Sequence, residues 1–81
     1  MGTSSIHDRD YALVSAALKR LRDEASLTQR ELAAVLDKPH TYVHKCEVGD
    51  RKVDLVEWAR WCRGCGVGEV EAFSEIAKQI R

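Results

Sequence analysis

The chain has 81 residues, enough for one small domain and too few for two. Charged residues make up 32% and hydrophobic ones 44%, the balance of a folded domain rather than of a disordered tail. Thirteen basic against thirteen acidic residues leave no net charge, so any surface for a polyanion must come from local charge alone. No run approaches the roughly 20 apolar residues of a membrane span. The leading segment MGTSSIHDRD has no apolar centre of the kind a signal peptide needs, and Gly2 has no second membrane signal to support a myristoylation motif. Three cysteines, an odd number, argue against a disulfide framework and for a reducing, cytoplasmic setting. With one proline, five glycines and no alternating strand pattern, the chain reads as all-α.

Residues 1–7 are small and polar and read as a loose leader. From Asp8 onward, Tyr11, Val14, Ala17, Leu18, Leu21 and Ala25 recur at three- and four-residue steps, which predicts a first helix. Ser26-Leu27 breaks it. Thr28 with Glu31 three positions on makes a capping box and opens a second helix, with Leu32, Val35 and Leu36 facing inward. Asp37-Lys38 supplies a short turn and Pro39 the fixed φ of a helix's first turn. The third helix then runs to about Val48 and stops at Gly49. Asp54 and Glu57 resemble a second cap, ahead of a fourth helix whose inner face carries Leu55, Trp58, Ala59, Cys62 and Cys65. Gly64 and Gly66 end it. Trp61 falls off that face; it either packs under the last helix or meets another subunit. A fifth helix within 68–81 aligns Val70, Phe73, Ile76, Ala77 and Ile80. No internal repeat is visible.

The stretch DKPHTYVHKCEVGDRK, residues 37–52, concentrates two histidines, a tyrosine, a cysteine and four basic residues. A metal centre is one reading, since Cys62-x-x-Cys65 could join Cys46 and a histidine. These cysteines, however, fall where the helical pattern wants apolar residues, and a buried thiol packs as a small hydrophobe. No metal and no cofactor is expected. Nor is there a nucleophile–base–orienter pattern or a phosphate-cradling glycine loop, so no enzyme activity is expected. His7 lies in the leader, away from this cluster.

Two short helices joined by a tight turn form a helix-turn-helix layout. Leu27-Thr28-Gln29 ahead of Glu31-Leu32-Ala33 is followed by Tyr42-Val43, Lys45, Glu47, Gly49, a basic pair and Asp54. In that order and spacing the segment 18–67 resembles the lambda-repressor-like, or Cro/Xre-type, DNA-binding domain. The resemblance implies a compact five-helix fold in which the second helix crosses the phosphate backbone and the third enters the major groove. Periodicity agrees: His40, Thr41, His44 and Lys45 lie opposite Val43 and Cys46, and such donor-rich side chains read base edges. By position His40, Thr41 and Lys45 match the family's base-contacting sites, with His44 a further candidate. Gln29 and Tyr42 match backbone-contacting positions, and Arg51 and Lys52 would reach phosphates. Glu47 matches the family's buried acid, which pairs with a first-helix arginine; Arg22 stands at that place. The segment 37–52 holds four cations against three acids, so an inward Glu47 leaves its outer face more basic than the count.

One recognition helix reads only a few base pairs, which predicts a homodimer on an inverted-repeat operator of double-stranded DNA. Trp61, Val70, Phe73, Ile76 and Ile80 are the expected interface. The chain divides as leader 1–7, helix-turn-helix domain 8–67 and dimerisation helix 68–81. The expected protein is a stand-alone cytoplasmic transcriptional regulator, a small autorepressor or controller of phage or mobile-element type, with RNA polymerase a further candidate partner. Repressor and activator look alike at this level. The rival reading is a protein-interaction module on the same fold, an antitoxin or anti-activator, which zero net charge and Glu69, Glu71 and Glu75 favour.

Overall fold

A computed structural model of the chain describes residues 4–81, with side chains from Arg9 onward. Five helices follow one another: α1 (Ser4–Glu24), α2 (Gln29–Val35), α3 (His40–Glu47), α4 (Leu55–Gly64) and α5 (Glu69–Ala77). No strand occurs among the described residues. α1 already includes Ser4–His7, so it starts four residues ahead of Asp8. Residues 1–3, Gly2 among them, lie outside the described residues, as does the His7 side chain.

Local chemistry sets the helix boundaries. Thr28 Oγ1 accepts the Glu31 N–H at 3.0 Å while the Glu31 carboxylate accepts the Thr28 N–H at 2.8 Å. Asp54 and Glu57 repeat this exchange at 2.7 and 2.9 Å at the start of α4. Each box satisfies two donors that a helix start would otherwise leave open. At the other ends the chain turns left-handed: Ser26 (φ 60°), Asp37 (φ 57°), Gly49 (φ 85°) and Gly66 (φ 78°) follow α1, α2, α3 and α4. Three of these exits close with a Schellman bond, Leu27 N–H to Arg22 O (3.2 Å), Lys38 N–H to Ala33 O (2.9 Å) and Val67 N–H to Cys62 O (2.9 Å). Pro39 sits one step ahead of α3 as its cap, extended at ψ 150°.

The largest fully buried side chains are Leu18, Leu32, Val43, Cys46, Trp61 and Cys62. Trp61 is therefore no interface residue: it is 0% exposed and its indole N–H donates to the Leu18 carbonyl at 3.1 Å. The inner stripe of α4 runs Trp58, Trp61, Cys62, Cys65, because rotating the helix to enclose its second indole buries more apolar area than enclosing Ala59. Leu55, expected inside, is 85% exposed on the first turn of α4, and Val35 at the end of α2 is 57% exposed.

α5 is also turned from its expected setting. Ile76 (2% exposed) joins the core and Ala72 packs against it, whereas Val70 (73%) and Ile80 (40%) face outward. Ile76 thus leaves the set of interface residues. Phe73 is half-exposed and meets Trp58 edge to face, with ring centres 6.0 Å apart. The Trp58 indole N–H in turn donates to the Glu69 carbonyl at 3.0 Å, locking α5 onto α4.

Candidate nucleic-acid interface

α3 divides into two faces. Tyr42, Val43, Cys46 and Glu47 are buried, while His40, Thr41, His44 and Lys45 are all exposed. The two sets interleave at helical spacing, so the apolar side docks the helix and the polar side is presented whole. α2 precedes α3 through the turn 36–39, giving a helix-turn-helix with an open second helix.

Behind that surface lies an ion pair. Arg22 Nε and Nη2 donate to the two Glu47 carboxylate oxygens at 2.6 and 3.0 Å, and Arg22 Nη1 donates to the Leu27 carbonyl at 2.7 Å. Both residues are 8% exposed. The fork joins α1, the α1–α2 loop and α3 in one arrangement. The hydrogen bond it donates to Glu47 holds the guanidinium even more firmly charged than usual. Among the described residues no buried side-chain polar atom lacks a partner, so the inward charge is compensated and α3 keeps no acid on its exposed side.

Gln29, the first residue of α2, does not simply point at solvent. Its amide nitrogen donates to Glu47 Oε1 at 3.1 Å and lies 3.5 Å from His44 Nδ1. Tyr42 is only 8% exposed, its ring flanked by Lys38 Nζ at 5.2 Å and the Arg51 guanidinium at 5.0 Å from the centroid. Burial raises its phenol well above the ordinary value, so it stays protonated. Tyr42 thus offers little surface of its own and works as a platform for two cations.

Arg51 and Lys52 differ in how free they are. Arg51 is drawn to Glu57, with Nη2 to Oε2 at 2.9 Å and Nη1 to Oε1 at 3.1 Å. Lys52 is exposed, its ammonium 5.4 Å above the Tyr11 ring. The loop that carries both is tied down by Tyr11, whose hydroxyl accepts the Val53 N–H at 2.9 Å. That positioning role was invisible to helical periodicity, which marks Tyr11 only as a core-facing ring.

Among the described residues, Lys38, Lys45 and Lys52 are exposed cations with no carboxylate within salt-bridge distance, spread from the α2–α3 turn to the loop after α3. The cysteines lie elsewhere: Cys46 and Cys62 are buried and Cys65 partly so, all as free thiols. Burial pushes Cys62 up to about 11, an uncharged thiol near neutrality. No cluster of three metal-ligating side chains occurs among the described residues.

A two-faced α3 anchored through Arg22 and Glu47 defines a helix-turn-helix domain. The family model for the helix-turn-helix domain matches residues 13–73, and the chain belongs to that family. The match runs past Val67 into α5, further than the segment whose motifs carry the resemblance. Within the family the chain is of the Cro/Xre type. It is similar to an XRE-family-like protein from Pseudomonas syringae pv. tomato str. DC3000, at 32% identity and a TM-score of 0.87 over 99% of this chain and 98% of that one. Two structures of the clp gene regulator ClgR from Corynebacterium glutamicum are also similar, each at 28% identity and a TM-score of 0.74. They cover 88% and 89% of this chain, and 74% and 92% of theirs. No curated protein matches the sequence.

Proposed function

We propose that the protein is a DNA-binding transcriptional regulator that works as a homodimer on an inverted-repeat operator. One observation carries the reading: α3 holds every acidic and apolar side chain of its eight residues inward, and presents only His40, Thr41, His44 and Lys45. A helix of that composition suits the major groove, where lysine bonds guanine acceptors and threonine a base edge or a thymine methyl. Lys38 and Lys52 stand on either side and would add phosphate contacts without sequence preference. Occupying an operator needs no chemistry from the protein.

The dimer reading rests on apolar surface. Val70 and Phe73 on α5 and Leu55 on α4 stay exposed, and Leu55 and Phe73 line one shallow apolar depression with Tyr11, Val14 and Trp58. We place the two-fold contact there, with Ile80 at its edge. The neighbouring ClgR is a regulator of clp genes by its own name, which supports regulation as the kind of work this fold does. Among the described residues no helix is long and apolar enough to cross a membrane, in keeping with a cytoplasmic role.

Binding to a long duplex of mixed sequence, followed by fluorescence anisotropy across salt concentrations, tests the DNA reading. Log affinity should fall linearly with log salt, by about 0.9 per phosphate neutralised. Absence of salt-dependent binding would favour the rival. That rival, a protein-binding module, draws on a groove between α2 and α4 floored by Val35, Leu36, Tyr42 and Gly64 and rimmed by Lys38, Arg60 and Arg63.

A further inference from the structure

We infer that Gln29 is a positioning residue which fixes His44 as a one-tautomer hydrogen-bond donor on the reading face. The inference rests on the DNA-binding reading above and sharpens it at one side chain. The network starts at Arg22. Its guanidinium donates to both Glu47 oxygens, at 2.6 and 3.0 Å, so Glu47 is a carboxylate and an acceptor only. The Gln29 group lying 3.1 Å from Glu47 Oε1 must then be its NH2 rather than its carbonyl, because two acceptors would repel.

That settles the amide's orientation, and the amide settles the imidazole. The same Gln29 nitrogen lies 3.5 Å from His44 Nδ1. It carries two hydrogens, one for each partner. A hydrogen on Nδ1 would face another hydrogen, so Nδ1 supplies the lone pair and the ring proton sits on Nε2. Nε2 is the ring nitrogen that does not meet Gln29, and the side chain is exposed. His44 therefore offers its Nε2–H outward as a donor. In the major groove such a donor pairs with guanine N7 or O6, adenine N7 or thymine O4, and finds only an amino group on cytosine.

The assignment also changes what Gln29 itself can do. Its two hydrogens go to Glu47 Oε1 and His44 Nδ1, and the remaining carbonyl oxygen cannot bond a phosphate oxygen. The backbone contact that the resemblance implies for this side chain is thus replaced by an indirect one, relayed to the base through His44. A path of bonds runs from the buried arginine of α1 through α3 and α2 back to the surface of α3.

Two measurements test this. Nitrogen-15 NMR of the free protein, at a pH where His44 is neutral, should show the shifts of a pure Nε2–H ring. Gln29→Leu should move them toward the exchange-averaged values of an untethered imidazole. Identical shifts in the two proteins, or an Nδ1–H ring in the wild type, overturn the assignment whatever the DNA behaviour. Selection from a randomised duplex pool is the second. Gln29→Leu should relax preference about fivefold at a single base pair, the one that His44→Ala also relaxes, while leaving preferences due to Lys45 intact. A uniform loss of affinity over all sequences with a shallower salt slope would instead make Gln29 a phosphate contact and overturn the relay. Should the wild type select no duplex at all, the operator-binding reading fails and the NMR result alone decides the tautomer.

Discussion

Arg22 and Glu47 carry more of this structure than any other two side chains, and the cost of separating them follows from their burial. Removing either partner strips a residue only 8% exposed of its main counter-ion, Arg22 keeping just the Asp23 carboxylate at 3.5 Å, which costs about 3–5 kcal/mol. Glu47→Ala should lower the urea midpoint accordingly, followed by circular dichroism; a loss under about 1 kcal/mol would show the pair to be solvent-relaxed. Periodicity alone marks both residues as misplaced charges on inner faces, and only the resemblance links them across twenty-five positions. Gln29 was harder to read. Its sequence position says helix start, but its direction depends on where Glu47 and His44 arrive from α3, which no local pattern contains. Arg51 and Lys52 look equivalent as adjacent cations, yet Arg51 already holds Glu57. Lys52→Ala should therefore reduce the salt slope of DNA binding by close to the 0.9 of one phosphate contact. Arg51→Ala should reduce it less, a difference that salt titration of the two variants would reveal.

At the level of elements, capping was legible and rotation was not. Thr28–Glu31 and Asp54–Glu57 are four-residue patterns whose chemistry is complete within about one turn. Thr28→Ala should cost about 1 kcal/mol in chemical denaturation, as lost N-caps do. Glu57 does two tasks, closing the α4 box and pinning Arg51, and its carboxyl sits below its ordinary range, first through the Arg51 hydrogen bond. A lowered folded value means that its stabilisation is present above the ordinary carboxylate range and disappears as pH falls through the depressed folded value. Thermal melts from pH 7 to pH 3 should therefore show Glu57→Gln less stable near neutrality but losing less on acidification. Parallel curves would contradict that role. The rotation of α4 and α5 was misread for a physical reason. Stripes spaced three and four residues apart fit several settings of a short helix, and the choice is made by volume in the assembled core. There the Trp61 indole finds the Leu18 carbonyl, and Leu55 and Val70 are left outside.

For the whole molecule, the outward apolar residues of α4 and α5 decide the expected assembly. Val70 is 73% exposed and has no core role, so Val70→Asp should leave the fold intact and shift sedimentation toward monomer. Phe73→Asp should do the same with some loss of stability, because Phe73 also packs on Trp58. An unchanged dimer in both would move the interface elsewhere. Two-fold related copies of α3 must lie about 34–36 Å apart to enter successive major grooves, so assembly and reading are one geometric claim. Selection of a randomised duplex pool by the purified, folded protein, followed by sequencing, tests that claim most directly. Enrichment of an inverted repeat with half-site centres one helical turn apart is the predicted result. No enrichment would contradict operator binding, and a lone half-site would contradict the dimer.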